Sequence, residues 1–292
     1  MDLRAGTFAL NLRFVIEQML RVLRHGCNAC IHIQQLLSHK NQHGFMGRRD
    51  FRGATIDLYR AGGFEFSGEF VIPKNPQVMA RRLQLHSLQF QTGHSRSGCM
   101  LAPAVNDYVL IFHKPGDHPC PPLPLRHEKN PDGWVGCDEW VRDAHGVWAD
   151  IQETDVLDSG RALDKVKEQK GERHPCPLQL EVIRRCVRLY TNPVSRQPDA
   201  TVLDPFMGIG STAYVCAGGR SKVTKLAVEE PRNVVGFELK DSYHAASLDY
   251  VRAALDQRAK PAVRTLLDGL DPEPMPDGLA PEASSSSHGL KE

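Results

Sequence analysis

The chain has 292 residues, 41% hydrophobic and 24% charged, enough apolar material to bury a full core as one large domain or one domain plus an insertion. No apolar run approaches a membrane span, and the N-terminal MDLRAGTFALNLRF carries charges where a signal peptide needs its hydrophobic segment, so a cytoplasmic location is expected. The formal charge is +1, unevenly spread: residues 1–116 hold 14 Lys/Arg against 7 Asp/Glu, and residues 117–292 hold 22 against 28. A basic first segment suits a polyanionic partner, although scattered surface arginines give the same sum. The eight cysteines, scattered and without a secretory leader, argue for reduced thiols rather than a disulfide framework. Cys27 and Cys30 form a lone C-x-x-C with no second pair at zinc-ribbon spacing, so they read as buried thiols and no metal site is expected.

In chain order, Phe8, Leu12, Val15, Ile16, Met19, Leu20 and Leu23 recur at spacings of three and four, the stripe of an amphipathic helix that Gly26 stops. NACIHIQ (28–34) reads as a buried strand and DFRGATIDLYRAGGF (50–64) as a helix ended by Gly62 and Gly63. GEFVIPK (68–74) and DYVLIFHKPG (107–116) read as two further strands. Between them, residues 74–103 carry Arg81, Arg82 and Arg96 and no acidic residue, while Leu83, Leu85, Leu88 and Phe90 predict an ordered loop. After residue 117 the texture turns proline-rich and charged, with the three tryptophans at 134, 140 and 148, and 117–172 reads as an insertion rather than sheet.

Helical periodicity returns in HPCPLQLEVIRRCVRLYTNP (174–193) through Leu180, Ile183, Val187 and Leu189. The strand TVLD (201–204), a glycine loop, the helix STAYVCAGG, the strand NVVGFEL (233–239) and the helix DSYHAASLDYVRAAL follow. From about Asp271 the chain is a low-complexity tail without the means to form a core, predicted to be disordered.

The loop DPFMGIGS between strand and helix carries the chemistry. Glycines at 208 and 210 let the backbone turn tightly and come close to a ligand, and free N–H groups at the start of the following helix face the same way. Glu238, at the end of the next strand, is placed to accept hydrogen bonds from a ribose, the bland alternative being a solvated strand-end acid. Together these describe a nucleoside-containing cofactor. GIGSTA fits the dinucleotide pattern G-x-G-x-x-A, but in a dinucleotide fold this strand comes first and several more follow. Here one strand and one helix remain, and Asp204 stands where a pyrophosphate turn should begin. A carboxylate is a poor neighbour for pyrophosphate and a good one for the ammonium of a methionine moiety.

At these residues the chain resembles the amino-methylating DNA methyltransferases that use S-adenosylmethionine, in the permuted order where the catalytic half precedes the cofactor half. Their loop, D-P-F-x-G-x-G-[TS], is reproduced by Asp204, Pro205, Phe206, Gly208, Gly210 and Ser211. The helical segment before it, the VVGFELKDSYHAASL after it, and VIPKNP and NDYVLIFHKPG earlier resemble the family's elements in the same order. The resemblance implies an α/β, Rossmann-like methyltransferase fold, a mixed sheet with helices on both faces. It further implies that Asp204 and the Gly208/Gly210 backbone line the methionine end, Phe206 packs near the cofactor, Glu238 binds the ribose, and His174 and Pro175 close the methionine side. Residues 1–116 would be the catalytic half with the basic loop 74–103, 117–172 an inserted segment that is a candidate for target recognition, 173–256 the cofactor half, and 271–292 the tail.

The family orients its target amine with [D/N/S]-P-P-[Y/F/W], whose first side chain and proline carbonyl accept the amine hydrogens while the aromatic stacks on a flipped base. The single Pro-Pro here is Pro121-Pro122, in CPPL, with the wrong flanks and inside the inserted segment. In the family the motif ends the strand before the first helix, and only about seven residues precede that helix here. The expectation is therefore a cofactor site without its first catalytic strand and with no nameable catalytic residue. The chain would act on adenine N6 or cytosine N4 of double-stranded DNA only with a complementing N-terminal segment. The rival is a non-catalytic remnant that keeps DNA or cofactor affinity. Arg81, Arg82 and Arg96 are the expected phosphate contacts.

Overall fold

Two apolar runs distant in sequence become neighbouring strands. In the computed structural model, which describes Leu3 and residues 6–45, 47–76, 78, 79, 105–157 and 177–259, β1 (Asn28–Gln34) pairs antiparallel with β5 (Asp107–His113), and β5 pairs antiparallel with β4 (Glu65–Ile72). β5 is central, and its alternation splits cleanly. Leu110 and Phe112 face a layer formed by α1 (Gly6–Val22) and α3 (Phe51–Ala61), which contributes Ala9, Ile16, Leu58 and Tyr59. Val109 and Ile111 face the opposite layer, with Trp148, Ile151, Val182 and Leu189. This is the period of two of a strand buried on both faces. Between β1 and α3 lies a hairpin that the sequence does not announce, β2 (Leu36–Ser38) against β3 (Gly47–Arg49), with the short α2 (Lys40–His43) between them.

A second sheet is separate. β6 (Thr201–Asp204) pairs in parallel with β7 (Asn233–Gly236), and no ladder joins this pair to the first sheet among the described residues. Parallel and antiparallel pairing both occur, the parallel pair in this sheet and the antiparallel pairs in the first sheet and the β2–β3 hairpin. α6 (Ser211–Cys216) and α7 (Asp241–Ala259) pack on the second sheet through Tyr214, Val215, Tyr243 and Ala246. The residues up to Arg258 form one compact unit. None of the described helices is long and apolar enough to cross a membrane.

The helix α5 (Leu180–Tyr190) holds the two sheets together. Val182 and Leu189 pack on the first sheet, and Leu180, Ile183 and Val187 on the second. Its charged residues are buried as well: Glu181, Arg184, Arg185 and Arg188 are at most 3% exposed. They are met by acids from the inserted segment, which carries α4 (Cys137–Asp143). Arg184 donates to Glu139 at 2.7 Å, Asp143 at 3.1 Å and Glu181 at 2.8 Å, and Arg185 reaches Glu181, Asp143 and Asp150. Trp134 and Arg188 exchange hydrogen bonds, Trp148 stacks on Phe70 at 4.2 Å, and the Arg185 guanidinium lies over Trp148.

The insertion thus belongs to the core, and it also belongs to the sheet. Val147 pairs in parallel with Val71 and covers the outer edge of β4, where the sequence reading placed no strand. An acid-rich segment without strand periodicity gives no local signal for a single bridge.

This network makes stability depend on pH in a defined direction. Burial alone would raise the Glu181 carboxyl, but hydrogen bonds and charge from Arg184 and Arg185 outweigh it and hold the group below its ordinary range. A depressed carboxyl contributes stability above the unfolded value of about 4.3, lost as pH falls through the lower folded value. Urea midpoints are therefore expected to stay level from about pH 5 upward and to drop below about pH 4. A midpoint unchanged down to about pH 2.5 would show that the network contributes nothing.

Candidate cofactor site

The site is built where β6 and β7 end. Past the last ladder pair, Asp204 with Gly236, Phe237 N–H donates to Asp204 C=O at 3.0 Å and Met207 N–H donates to Phe237 C=O at 2.9 Å. The loop after β6 is thereby laced to the chain leaving β7. The Asp204 side chain also holds the loop, since its Oδ1 accepts the Phe206 N–H at 3.0 Å, an Asx turn. Glu238 lies two residues beyond Gly236, half-buried, and its Oε1 accepts the Lys240 N–H at 2.9 Å. Two carboxylates thus sit at the carboxyl ends of adjacent parallel strands, the end at which open α/β sheets bind ligands.

The glycines have separate reasons. Gly208 adopts φ +55° and Gly210 φ +88°, the left-handed region that favours glycine. A Cβ on Gly210 would come within 2.6 Å of the Ser247 Cβ, so its small size serves the packing of α7. α6 spans only six residues, so the loop and the two acids, rather than a helix terminus, are the polar elements of the site.

A cavity of about 940 Å³ opens beside the loop, and Asp204, Pro205, Phe206 and Ser211 line it. Phe206 is 71% exposed at its mouth and Phe237 61%, two unburied aromatic faces next to the acids. Glu238 and the two glycines are not in the lining. His174, Arg81, Arg82 and Arg96 lie outside the described residues, as does Pro175. Of the Pro121-Pro122 pair, Pro122 lines the cavity; beside it Cys120 C=O accepts from Asn192, and Asn192 in turn donates to Gln197, four residues before β6 starts. Arg232, next to β7, lines the cavity too, a residue that sequence reasoning passed over. It donates to Thr191 and to backbone carbonyls, and burial pushes its guanidinium down to about 10.

The Cys27/Cys30 pair is half-buried, and the neighbouring Cys30 thiol together with burial raises the thiol of Cys186, on α5, well above its ordinary range. Among the described residues no cluster of His, Cys, Asp and Glu could hold a metal ion. The donor set at the β6–β7 end is anionic and fits a ligand with a cation at one end and hydroxyls at the other. It does not fit a pyrophosphate.

The model of the N6/N4 family described as DNA methylase matches residues 6–249. Among solved structures, TTHA0409 of Thermus thermophilus, described as a DNA modification methylase and complexed with S-adenosyl-L-methionine, aligns at 18% identity with a TM-score of 0.57, over 85% of this chain and 78% of that one. A second crystal structure of the same protein aligns at 18% identity and a TM-score of 0.55, over 85% and 77%. At this identity the likeness is one of fold. No curated protein sequence matches the chain.

Proposed function

Because the chain belongs to the N6/N4 DNA methylase family, whose methyl donor is S-adenosylmethionine, we propose that the β6–β7 end holds this donor for transfer to an exocyclic amine of adenine or cytosine in double-stranded DNA. The observation that carries this reading is the pair of carboxylates, Asp204 and Glu238, held at neighbouring strand ends by the Phe237–Asp204 backbone bond of 3.0 Å. Asp204 would take the ammonium and Glu238 the ribose hydroxyls, with Phe206 beside them and His174 closing the methionine side. When bound, the donor supplies an electrophilic methyl group on a sulfonium. The chain's own residues bind and orient it, and Asp204 keeps a negative charge at its cationic end.

The residues that would orient the target amine are the part this chain does not supply. CPPL at 120–123 lacks the acceptor and the aromatic. We therefore read the chain by itself as a donor-binding protein that transfers methyl groups when a complementing segment brings the motif. Titration calorimetry tests the first half: S-adenosylmethionine and its demethylated product give heat, and NAD gives none. Binding of NAD without binding of S-adenosylmethionine overturns the reading. Labelled methyl transfer to duplex DNA by this chain alone would overturn the second half.

DNA contact is proposed for Arg81, Arg82 and Arg96, in the acid-free stretch 74–103. The inserted segment is a weaker candidate for phosphate contact, because residues 117–157 hold nine Asp/Glu against three Lys/Arg. Its remaining role would be the reading of bases. Replacing the three arginines by alanine is expected to lower the slope of log affinity against log salt by about 0.9 per lost contact. An unchanged slope removes this loop from the interface.

A further inference from the structure

The β2–β3 hairpin carries cations and an unburied aromatic ring that the donor site does not use. No Asp or Glu occurs from Gln18 to Arg49, and within that stretch the hairpin and its turn hold Lys40, Arg48 and Arg49, with His39 and His43 beside them. The acid that follows, Asp50, caps α3, where its Oδ1 accepts the Gly53 N–H at 2.8 Å. The hairpin itself contains no carboxylate.

It is firmly mounted at both ends. At the root Gln35 Oε1 accepts the Phe51 and Arg52 N–H groups at 2.8 and 3.0 Å, which ties the exit from β1 to the start of α3. At the tip the buried Ser38 hydroxyl donates to Phe45 C=O at 3.1 Å. The ladder sets Leu37 opposite Arg48 and Leu36 opposite Arg49, so the two arginines leave opposite faces of the ribbon. Leu37, on the Arg48 face, packs against Met79 and Val105. Those two residues belong to a second acid-free stretch, Phe70 to Asn106, the one that carries Arg81, Arg82 and Arg96. Two acid-free stretches distant in sequence therefore meet at one place.

Phe45 is held in the open. It is 50% exposed although the backbone around it is tied down, so its ring adds little to any core. A protein partner needs a broad apolar patch, whereas Phe45 and Leu36 are the exposed large apolar residues among those described in this hairpin. Cations around a single aromatic ring suit a nucleic acid instead: charge meets phosphate, and the ring meets a base.

The hairpin also stands at the donor-site end of the molecule. Arg24, four residues before β1, meets Asp199, two residues before β6, at 2.7 Å, so these two strands start together. The hairpin leaves the other end of β1, the end toward which β6 carries Asp204 and Phe206.

We infer that the β2–β3 hairpin is a DNA-contacting ribbon, with Lys40 and Arg49 on phosphates and Phe45 inserted as an apolar wedge at a base step. A two-stranded ribbon is narrow enough to enter a groove, and an aromatic or aliphatic wedge unstacks a step locally. The inference rests on the proposed DNA substrate and adds a contact element to it.

The test is binding of a labelled mixed-sequence DNA duplex to the full chain, read by fluorescence anisotropy over a series of salt concentrations. Phe45→Ala is expected to weaken binding about tenfold with an unchanged salt slope, because a wedge carries no charge, and Phe45→Trp to keep it. Lys40→Gln combined with Arg49→Gln is expected to lower the slope by about 0.9 per lost contact, and Arg49→Lys to leave it unchanged. Parent affinity in Phe45→Ala, or an unchanged slope in the double variant, overturns the inference. So does a lower melting temperature in Phe45→Ala, which would make the ring a packing residue. If the hairpin variants bind as the parent does while alanine at Arg81, Arg82 and Arg96 weakens binding, the hairpin is excluded and the proposed DNA substrate stands. A parent chain that binds no duplex at any salt removes both. Titration of S-adenosylmethionine on the same variants completes the separation: unchanged heat beside lost DNA affinity confines the loss to the hairpin.

Discussion

Alanine at Asp204 weakens S-adenosylmethionine binding by roughly tenfold to 150-fold, the expected result of removing a hydrogen-bonded charge worth about 1.5–3 kcal/mol. The proposed role gives the carboxylate two jobs that a pair of variants separates. One is internal, the Oδ1 that accepts the Phe206 N–H at 3.0 Å and shapes the loop. The other is the charge offered to the ammonium. Asp204→Asn keeps an acceptor at Oδ1 and removes the charge, so calorimetry should find it nearly as weak as Asp204→Ala. If asparagine restores binding, the residue is a turn former and the charge pairing is discarded. Unchanged affinity in both variants moves the donor site away from this loop altogether.

Glu181→Ala is expected to cost about 3–5 kcal/mol of stability, the range for removing one partner of a buried charge network. Glu181 is 2% exposed and accepts from both Arg184 and Arg185, themselves 2% and 1% exposed. Without it two guanidinium groups stay buried with fewer counter-charges. Glu139, Asp143 and Asp150 remain to them, which places the expected value toward the lower end. At about 2–4 °C per kcal/mol for a chain of this size, the melting temperature falls by roughly 10 °C. Calorimetric melting measures this, and a fall of less than about 2 °C would show that the arginines find equivalent partners or water. The effect reaches function through α5: the helix carries one face of each sheet, so its loosening is expected to reduce donor binding as well.

Both results concern residues whose meaning the sequence discloses to different degrees. At Asp204 the order strand, Asp-Pro-Phe, two spaced glycines and helix is a local pattern, and the end of β6 and the start of α6 fall where that pattern puts them. It is legible because each residue type answers a local demand: an aspartate that closes an Asx turn, a glycine where φ is positive. At Glu181 nothing local distinguishes LEVIRRCVRLY from an amphipathic surface helix. Leu180, Ile183, Val187 and Leu189 mark one apolar stripe, and nothing in the pattern marks Arg184, Arg185 and Arg188 as buried beside it. They are buried because acids some forty residues upstream, on α4 and after it, come to meet them.

The sequence alone determined the helices and strands that repeat at 3.6 or 2 residues and the place of the glycine loop. Periodicity and turn chemistry are properties of neighbours along the chain, so they survive without a fold. Only the tertiary structure decided that Gly210 makes room for Ser247, that Val147 covers the edge of β4, and that β1 and β6 share a cavity instead of a hydrogen-bond ladder. Each of these joins residues far apart in sequence. Which distant groups meet is set by how the layers pack around α5, and a contact made by that packing carries no mark in the residues that form it.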